Sequence, residues 1–404
     1  MADQLPSLLL LPPPPHPANR AALKAAFEPP LKAAISRLKD EKADQHASIL
    51  IVGLASPILR GTSLRQKSLS WPEAQSVVAG IYSIVSVICA QLSVPSHMYA
   101  GPGSVDVRVL LIDHDPSAPP PKDFKPAIEP NNTVVPDLAT FASAYHPWKY
   151  IFHTSNEPGY QILSTYLKLA EPVQTLKQDQ LIAVQGGLAL NVAPTDRSQS
   201  SQQTEPHNIM CLGGTFDHLH PGHKLLLTAA VLLLNVPEKG TAGPCRFIIG
   251  VTGDELLKRK KYAELVQPWN VRAMSIMDFL SSILRLSKDG WNGAEQPKLD
   301  SGSGELVSRF RDDTIEIQCV EIQDAFGPTI TAEDMDALVV SGETRSGGNA
   351  VNERRRELDW RQLEIFEVDV LDADDVVDGP TKTQDFASKI SSTAIRQKKA
   401  ESRI

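Results

Sequence analysis

From residue 209 to residue 370, short apolar runs alternate with longer helical patterns, and this alternation constrains the fold more than any other feature of the chain. The runs at 209–212, 247–251, 314–320, 337–340 and 364–370 read as strands. Helices are expected over 221–235, 254–261, 271–286 and 349–358, and again after Ser391, with 287–304 a polar, glycine-containing insertion. Strands separated by helices in this way call for a parallel sheet with helices on both faces. Ligands of such sheets bind beyond the carboxyl ends of the strands.

A polar stretch with almost no apolar content, carrying Ser-Gln-Ser-Ser-Gln-Gln, lies before this region and reads as an interdomain tether. The expected organisation is therefore a smaller α/β domain over 1–192, a linker over 193–206 and a second domain over 207–404. In the first half, strands are expected at 48–54, 105–112, 150–153 and 181–184, with helices at 72–92 and 161–169. Pro72 suits a first helical turn, and 116–136 is a proline-rich loop. Gly101-Pro102-Gly103-Ser104 lacks the Lys-Ser/Thr of a phosphate-cradling loop and reads as a turn before a strand. No compact catalytic constellation stands out in this half.

Composition removes several classes. A formal net charge of -8 argues against a general binder of nucleic acid or anionic membrane. The apolar run at 8–11 is too short for a signal segment. The run at 77–92 is broken by Gly80, Ser83, Ser86 and Gln91 and falls short of the roughly 20 residues a span needs, so a buried helix is expected. Cys89, Cys211, Cys245 and Cys319 are far apart and form no metal or disulfide pattern. Buried thiols in a reducing compartment fit them, which points to the cytoplasm, or cytoplasm and nucleus.

The chemistry concentrates after the first strand of the second half, in Gly213-Gly214-Thr215-Phe216-Asp217-His218-Leu219-His220-Pro221-Gly222-His223. Glycines directly after a buried strand let the backbone approach a ligand closely. Pro221 opens the next helix and sets His220 and His223 about one turn apart on one face. The helix start is an anion site, and two imidazoles aimed at it can donate to phosphate oxygens as charge builds up. Thr215 adds a hydroxyl. A metal site would need a third ligand that the sequence does not supply. His218 reads as structural.

Two further clusters follow. Lys258-Arg259-Lys260-Lys261 lies just past the strand at 247–251. A solvated helix end is the plain reading of such a run, and phosphate binding is favoured by its position. Ser391-Ser392-Thr393, before the last helix, make good N-caps, and together with Arg396 they can equally meet a triphosphate. Between them, Ser341-Gly342-Glu343-Thr344-Arg345-Ser346-Gly347-Gly348-Asn349 is a glycine-rich turn leading into a basic helix.

The first cluster and Ile390-Ser391-Ser392-Thr393-Ala394-Ile395-Arg396 together resemble the two signatures of the HxGH nucleotidylyltransferase superfamily. The wording is similar to the archaeal and eukaryotic type of pantetheine-phosphate adenylyltransferase. The Ser341–Thr344 turn with its glycines, and Asp324-Ala325-Phe326-Gly327-Pro328, resemble that type specifically, although Ala325 and Phe326 depart from it. The resemblance implies a Rossmann-like domain that moves the adenylyl group of ATP onto 4′-phosphopantetheine. It implies His220, His223 and Lys258 in catalysis, and Gly214, Thr215, Phe216, His220, His223, Ser391, Ser392, Thr393 and Arg396 on ATP. Thr215, Lys258, Lys260, Thr344 and Arg345 would meet the acceptor, with Lys258 favoured over Lys260 because alternating basic residues leave the register open. Mg2+ would arrive with ATP, and no tightly bound cofactor or dedicated protein metal site is expected. The resemblance spans about 209–396, interrupted at 287–304 and 372–388. No second phosphate loop follows Arg396, so a monofunctional chain is expected, as in fungi. The first half could dock other enzymes of coenzyme A synthesis.

Three rivals remain at this point. A cytidylyltransferase usually carries Arg-Thr-Glu-Gly before its Ile-Ser-Thr, whereas Ser388-Lys389 stand here. A nicotinamide-mononucleotide adenylyltransferase shares Ser-Ser-Thr but not the Ser-Gly-Glu-Thr block. A non-catalytic scaffold would not require His220, His223 and Arg396.

Overall fold

A computed structural model describes residues 5–41, 46–61, 63, 65–117, 125–188, 203–241, 243–292, 298–300, 304–369, 371 and 391–401. Most of the expected tether, Ile390 of the late motif, and 372–388 lie outside the described residues. Two compact units are present. The first is built from described residues of Met1–Thr204 and Arg285–Ala294, the second from those of Glu205–Leu284, Glu295–Asp372 and Pro380–Ile404.

The first unit runs β1 (Ser7–Leu11), α1 (Arg20–Lys39), β2 (Ser48–Ser56), β3 (Leu59–Arg60), β4 (Ser68–Leu69), α2 (Trp71–Gln91), β5 (Val105–Asp113), α3 (Leu138–Ala144), β6 (Ile151–Thr154), α4 (Glu157–Ala170) and β7 (Leu181–Val184). Its sheet has the order β5-β2-β1-β6-β7, every pair parallel. The run at 8–11, read from sequence only as too short for a signal, is the central strand, and Leu8 to Leu11 are all 0% exposed. A strand covered on both faces reads as unbroken apolar sequence, which is why alternation could not reveal it.

Helix α1 was hidden from pattern reading by Pro29 and Pro30 within it. A proline has no N–H to give the carbonyl four residues back, so Ala25 and Ala26 lose their helical donors. Leu188 N donates to the Ala25 carbonyl at 3.0 Å. Gly187 sits so close that a Cβ there would fall 2.1 Å from the Ala25 oxygen and 2.4 Å from that of Ala26. A glycine is what allows the strand exit to reach the carbonyls that the prolines release. Helix α2 is buried on nearly every side, as a core helix. The segment from Arg285 belongs to this unit: Trp291 packs edge-on against Tyr145 and Trp148, both at 5.5 Å between ring centroids.

The second unit runs β8 (Ile209–Gly214), α5 (Pro221–Val231), β9 (Cys245–Thr252), a single turn α6 (Asp254–Leu257), α7 (Trp269–Leu284), β10 (Lys298–Asp300), β11 (Glu305–Phe310), β12 (Ile315–Ile322), β13 (Ala337–Ser341), α8 (Arg345–Glu357), β14 (Glu364–Val368) and α9 (Ser392–Glu401). The strand order is β10-β11-β12-β9-β8-β13-β14. From β12 to β14 all pairs are parallel, giving the Rossmann-like α/β sheet expected. Strands β10 and β11 are antiparallel additions at one edge, which the sequence reading did not include. Cys211, Ile248, Leu338 and Val340 of the sheet pack with Val351 of α8, Met335 and Leu363 in one apolar cluster.

Three helix boundaries of this unit differ from expectation by four residues. The helix after β9 ends at Leu257, so Lys258 to Lys261 lie beyond it. Helix α5 ends at Val231, four residues early. Helix α8 starts at Arg345, which puts Gly347 and Gly348 in its first turn.

Candidate active site

In the second unit the chain order of the parallel strands reverses between β8 and β13, and the crevice beyond such a reversal is where open α/β sheets hold ligands. Strand β8 ends in Gly213-Gly214, and β13 ends at the Ser341-Gly342-Glu343-Thr344 turn. Topology alone therefore brings the first cluster and the glycine-rich turn to one place.

The loop after β8 is tightly built. Phe216 has a left-handed φ of 53° and folds its ring back over Gly214, where a Cβ would come 2.9 Å from the ring. His220 caps α5, its Nδ1 accepting from the Gly222 amide at 3.2 Å. An accepting Nδ1 leaves Nε2 as the N–H donor of a neutral ring. His223 stacks on His220 with ring centroids 3.9 Å apart and lies 5.3 Å from the Phe216 ring. The two imidazoles thus sit together, held between the helix start and an aromatic side chain. His218 has a different role: its Nε2 faces the Leu265 carbonyl at 3.2 Å and its Nδ1 faces Lys399 at 3.3 Å. Burial holds its imidazole below the usual pKa, even with Asp217 alongside.

The late motif comes onto this same loop. Asp217 is 0% exposed, and its carboxylate accepts from Arg396 and from the Gln267 amide at 3.0 Å. Ser392 Oγ donates to the Asp217 carbonyl at 2.8 Å. Arg396, 1% exposed, also donates to the Lys261 carbonyl at 3.1 Å and to Thr393 Oγ1 at 3.1 Å. Ser391 Oγ accepts from the Ala394 amide at 3.3 Å, as an N-cap does. These four side chains, expected on ATP phosphates, fasten α9 to the first loop and to their own helix.

The basic run is sorted by its contacts. Lys260 Nζ donates to Thr215 Oγ1 at 2.9 Å. Burial of its ammonium, with Arg396 and Arg272 close by, holds its pKa below that of an ordinary lysine. Lys258 instead pairs with Glu255 on the exposed side of α6. The structure therefore sets Lys260, and not the favoured Lys258, against the Thr215 hydroxyl. The helix before them ends at Leu257, so the register that a continuous helix would have imposed does not apply.

Thr344 Oγ1 accepts from the Ser341 amide at 3.0 Å and so closes its own turn, while Arg345 forks onto Glu367 of β14. Both lie at the carboxyl ends of β13 and β14 and make no described contact with the first loop.

Four contributors were not singled out in the sequence: Asp217, Thr252, Gln267 and Arg272. Thr252 Oγ1 donates to the Gly214 carbonyl at 3.2 Å, joining the ends of β8 and β9. Arg272, 0% exposed, holds the Thr215 carbonyl at 2.7 Å and that of Thr252 at 2.8 Å. A signal for it existed. Arg272 falls in register with Ile276, Phe279 and Ile283 on the buried stripe of α7, where a charge needs partners.

Residues 211–398 match a family described as cytidylyltransferase-like, and 1–190 match a domain of unknown function. An uncharacterized protein of Schizosaccharomyces pombe is 29% identical over 277 residues, 67% of this chain and 73% of that protein. The phosphopantetheine adenylyltransferase of Saccharomyces cerevisiae is 31% identical over 190 residues, 47% of this chain and 48% of its own, so the match spans about half of that relative. That of Pyrococcus furiosus is 31% identical over 160 residues, 40% of this chain and 76% of its own.

Proposed function

Since the second half of this chain belongs to the phosphopantetheine adenylyltransferase-like family of nucleotidyltransferases, we propose that it transfers the adenylyl group of ATP to 4′-phosphopantetheine, giving dephospho-coenzyme A and pyrophosphate. A phosphate oxygen of the acceptor attacks the α-phosphorus of ATP in line, and the bond from that phosphorus to the bridging oxygen of pyrophosphate breaks. The nucleophile is already an anion, so no side-chain base is needed. Catalysis then consists of positioning and of donors aimed at the developing charge.

The observation that carries this reading is the docking of the late motif on the first loop through Asp217, Arg396 and Ser392. Two stretches far apart in the chain, Asp217 and Arg396 being 179 positions apart, enclose one strand end. Around it, His220 caps the helix start, His223 stacks beside it, and Lys260 places an ammonium on the Thr215 hydroxyl. These groups suit a transition state carrying phosphate charge. Gly342 to Asn349, across the strand reversal, would border the nucleoside. The nearby carboxylates, Asp217 and Asp254, are committed to Arg396 and Arg272, so Mg2+ is expected to enter held by the triphosphate itself.

The cytidylyltransferase-like family match keeps CTP as the specific competing nucleotide. Pyrophosphate release is measured with the full chain, offering ATP or CTP against 4′-phosphopantetheine and several phospho-alcohols. Turnover with ATP and phosphopantetheine is expected. Turnover with CTP and a phospho-alcohol, and none with ATP, would replace this reading.

A further inference from the structure

Arg272 stands in the first turn of α7, outside every motif of the sequence, yet its guanidinium reaches both loops of the candidate site. Nε donates to the Gln267 carbonyl at 2.8 Å, and Nη1 to the Thr215 carbonyl at 2.7 Å. Nη2 donates to the Thr252 carbonyl at 2.8 Å and to the Asp254 carboxylate at 2.7 Å. One planar group thus ties the exit of β8, the exit of β9 and the segment leading into α7 into a single rigid piece.

The direction of these bonds matters for the chemistry. In a trans peptide the carbonyl and the following N–H point opposite ways. Arg272 draws the Thr215 carbonyl inward, so the Phe216 N–H faces away from the guanidinium. The left-handed turn at Phe216, φ 53°, follows directly. The Thr215 side chain, on the same residue, carries the hydroxyl that Lys260 contacts. The Gly214 carbonyl is held in turn by Thr252, whose own carbonyl Arg272 also grips.

Resting on the adenylyl-transfer reading above, we infer that Arg272 is a positioning residue of the reaction: it sets the amide and hydroxyl of the β8 loop, and with them Lys260, where charge develops on the transferred phosphoryl group. It touches no substrate. A lysine at this position keeps the charge but has a single nitrogen, which cannot span three carbonyls and a carboxylate. Donors displaced by a fraction of an ångström lose more in the transition state than in the ground state, so the effect falls on kcat rather than KM.

A second buried arginine supplies the control. Arg355, also 0% exposed, donates to the carbonyls of Arg361, Thr329, Ala332 and Glu333 at 2.7, 2.7, 3.1 and 2.8 Å. It does the same backbone bracing, but at the far end of α8. Arg272→Lys and Arg355→Lys are therefore compared in the full chain, for thermal stability and for kcat and KM with each substrate. Arg272→Lys is expected to lower kcat on the order of tenfold to a hundredfold with little change in either KM. Arg355→Lys is expected to lower the melting temperature and leave kcat near wild type. Equal kcat in the two variants would overturn the inference. If Arg272→Lys does not fold, Asp254→Asn, which removes one partner and keeps the guanidinium, is read instead. A lower kcat at constant KM supports the positioning role, and wild-type kcat sinks it. A wild-type chain silent with every acceptor removes the adenylyl-transfer reading, and this inference with it.

Discussion

His223 lies with one ring neighbour, His220, at 3.9 Å and another, Phe216, at 5.3 Å, a setting that fixes its plane before any ligand arrives. On the proposed reaction its imidazole donates to an oxygen whose charge grows in the transition state. His223→Ala should therefore lose about a hundredfold in kcat, as for other oxyanion donors, while the chain stays folded. Steady-state kinetics beside a circular-dichroism melt checks this, and a kcat near wild type would remove His223 from the mechanism. Lys260 makes a second expectation at this scale. Its ammonium is held below the ordinary lysine pKa by burial first, and by Arg396 and Arg272. A proton bound more weakly in the folded chain than in the unfolded one costs stability at neutral pH, and a bound phosphate offsets that cost. The alkaline fall of kcat/KM should therefore begin below the pH at which an ordinary lysine titrates. In Lys260→Arg, whose group stays charged, that limb should move upward. A limb that is unchanged in the arginine variant would assign the titration elsewhere.

Helix α9 shows what an element adds beyond its residues. Its ten residues are polar on average and only Arg396 is buried, so packing of an apolar face cannot hold it. What holds it is the buried ion pair with Asp217, the Ser392 bond to the Asp217 carbonyl, and Lys399 at His218. Removing one partner of a buried pair strands the other charge and costs about 3–5 kcal/mol. Asp217→Ala should release α9 from the β8 loop, opening Lys398 and Lys399 to trypsin and abolishing turnover together. Protection of α9 equal to that of the wild type would show that the pair is not what docks it. Pattern reading found this helix and its caps; the acid that Arg396 meets is 179 positions away and could not be read from adjacency.

Across the whole chain, the two units share a plan. Counting the parallel strands of each sheet in chain order, both run third, second, first, fourth, fifth. They differ at the exit of the first strand. The second unit has Gly213-Gly214 there, whereas the first has Pro12 to Pro15 and then Pro17. Prolines carry no N–H, so that loop has few amides to donate to an anion. The first unit also draws in a piece of distant sequence. Trp291 lies edge-on to Tyr145 and Trp148, under the Arg285 guanidinium at 5.5 Å, and its amide donates to the His146 carbonyl at 2.8 Å. Because Trp291 is only partly covered, Trp291→Ala should cost less than a full core tryptophan, on the order of 2 kcal/mol. Calorimetry of the full chain should show the loss in the first unit's transition alone. A shift confined to the other transition would contradict the assignment of this segment to the first unit.

Periodicity and turn chemistry act over a few residues, and what depends on them could be read directly from the chain. The parallel strands of the second unit, the helix starts at Pro221 and Ser392, and the glycines that end β8 are all of that kind. Other features rest on partners that adjacency cannot reveal. Strand β1 looks like an isolated apolar run until strands pair along both its edges and helices pack on it. Helix α1 survives its two prolines because a distant amide takes a carbonyl they release. Lys260 is distinguished from Lys258 only where the chain turns after Leu257. Arg272 becomes part of the site through carbonyls 57 and 20 positions away. Local sequence sets which backbone shapes are cheap, whereas the partner of a buried charge or a released carbonyl is chosen when the sheet closes, since burial is what makes an unmatched polar group costly.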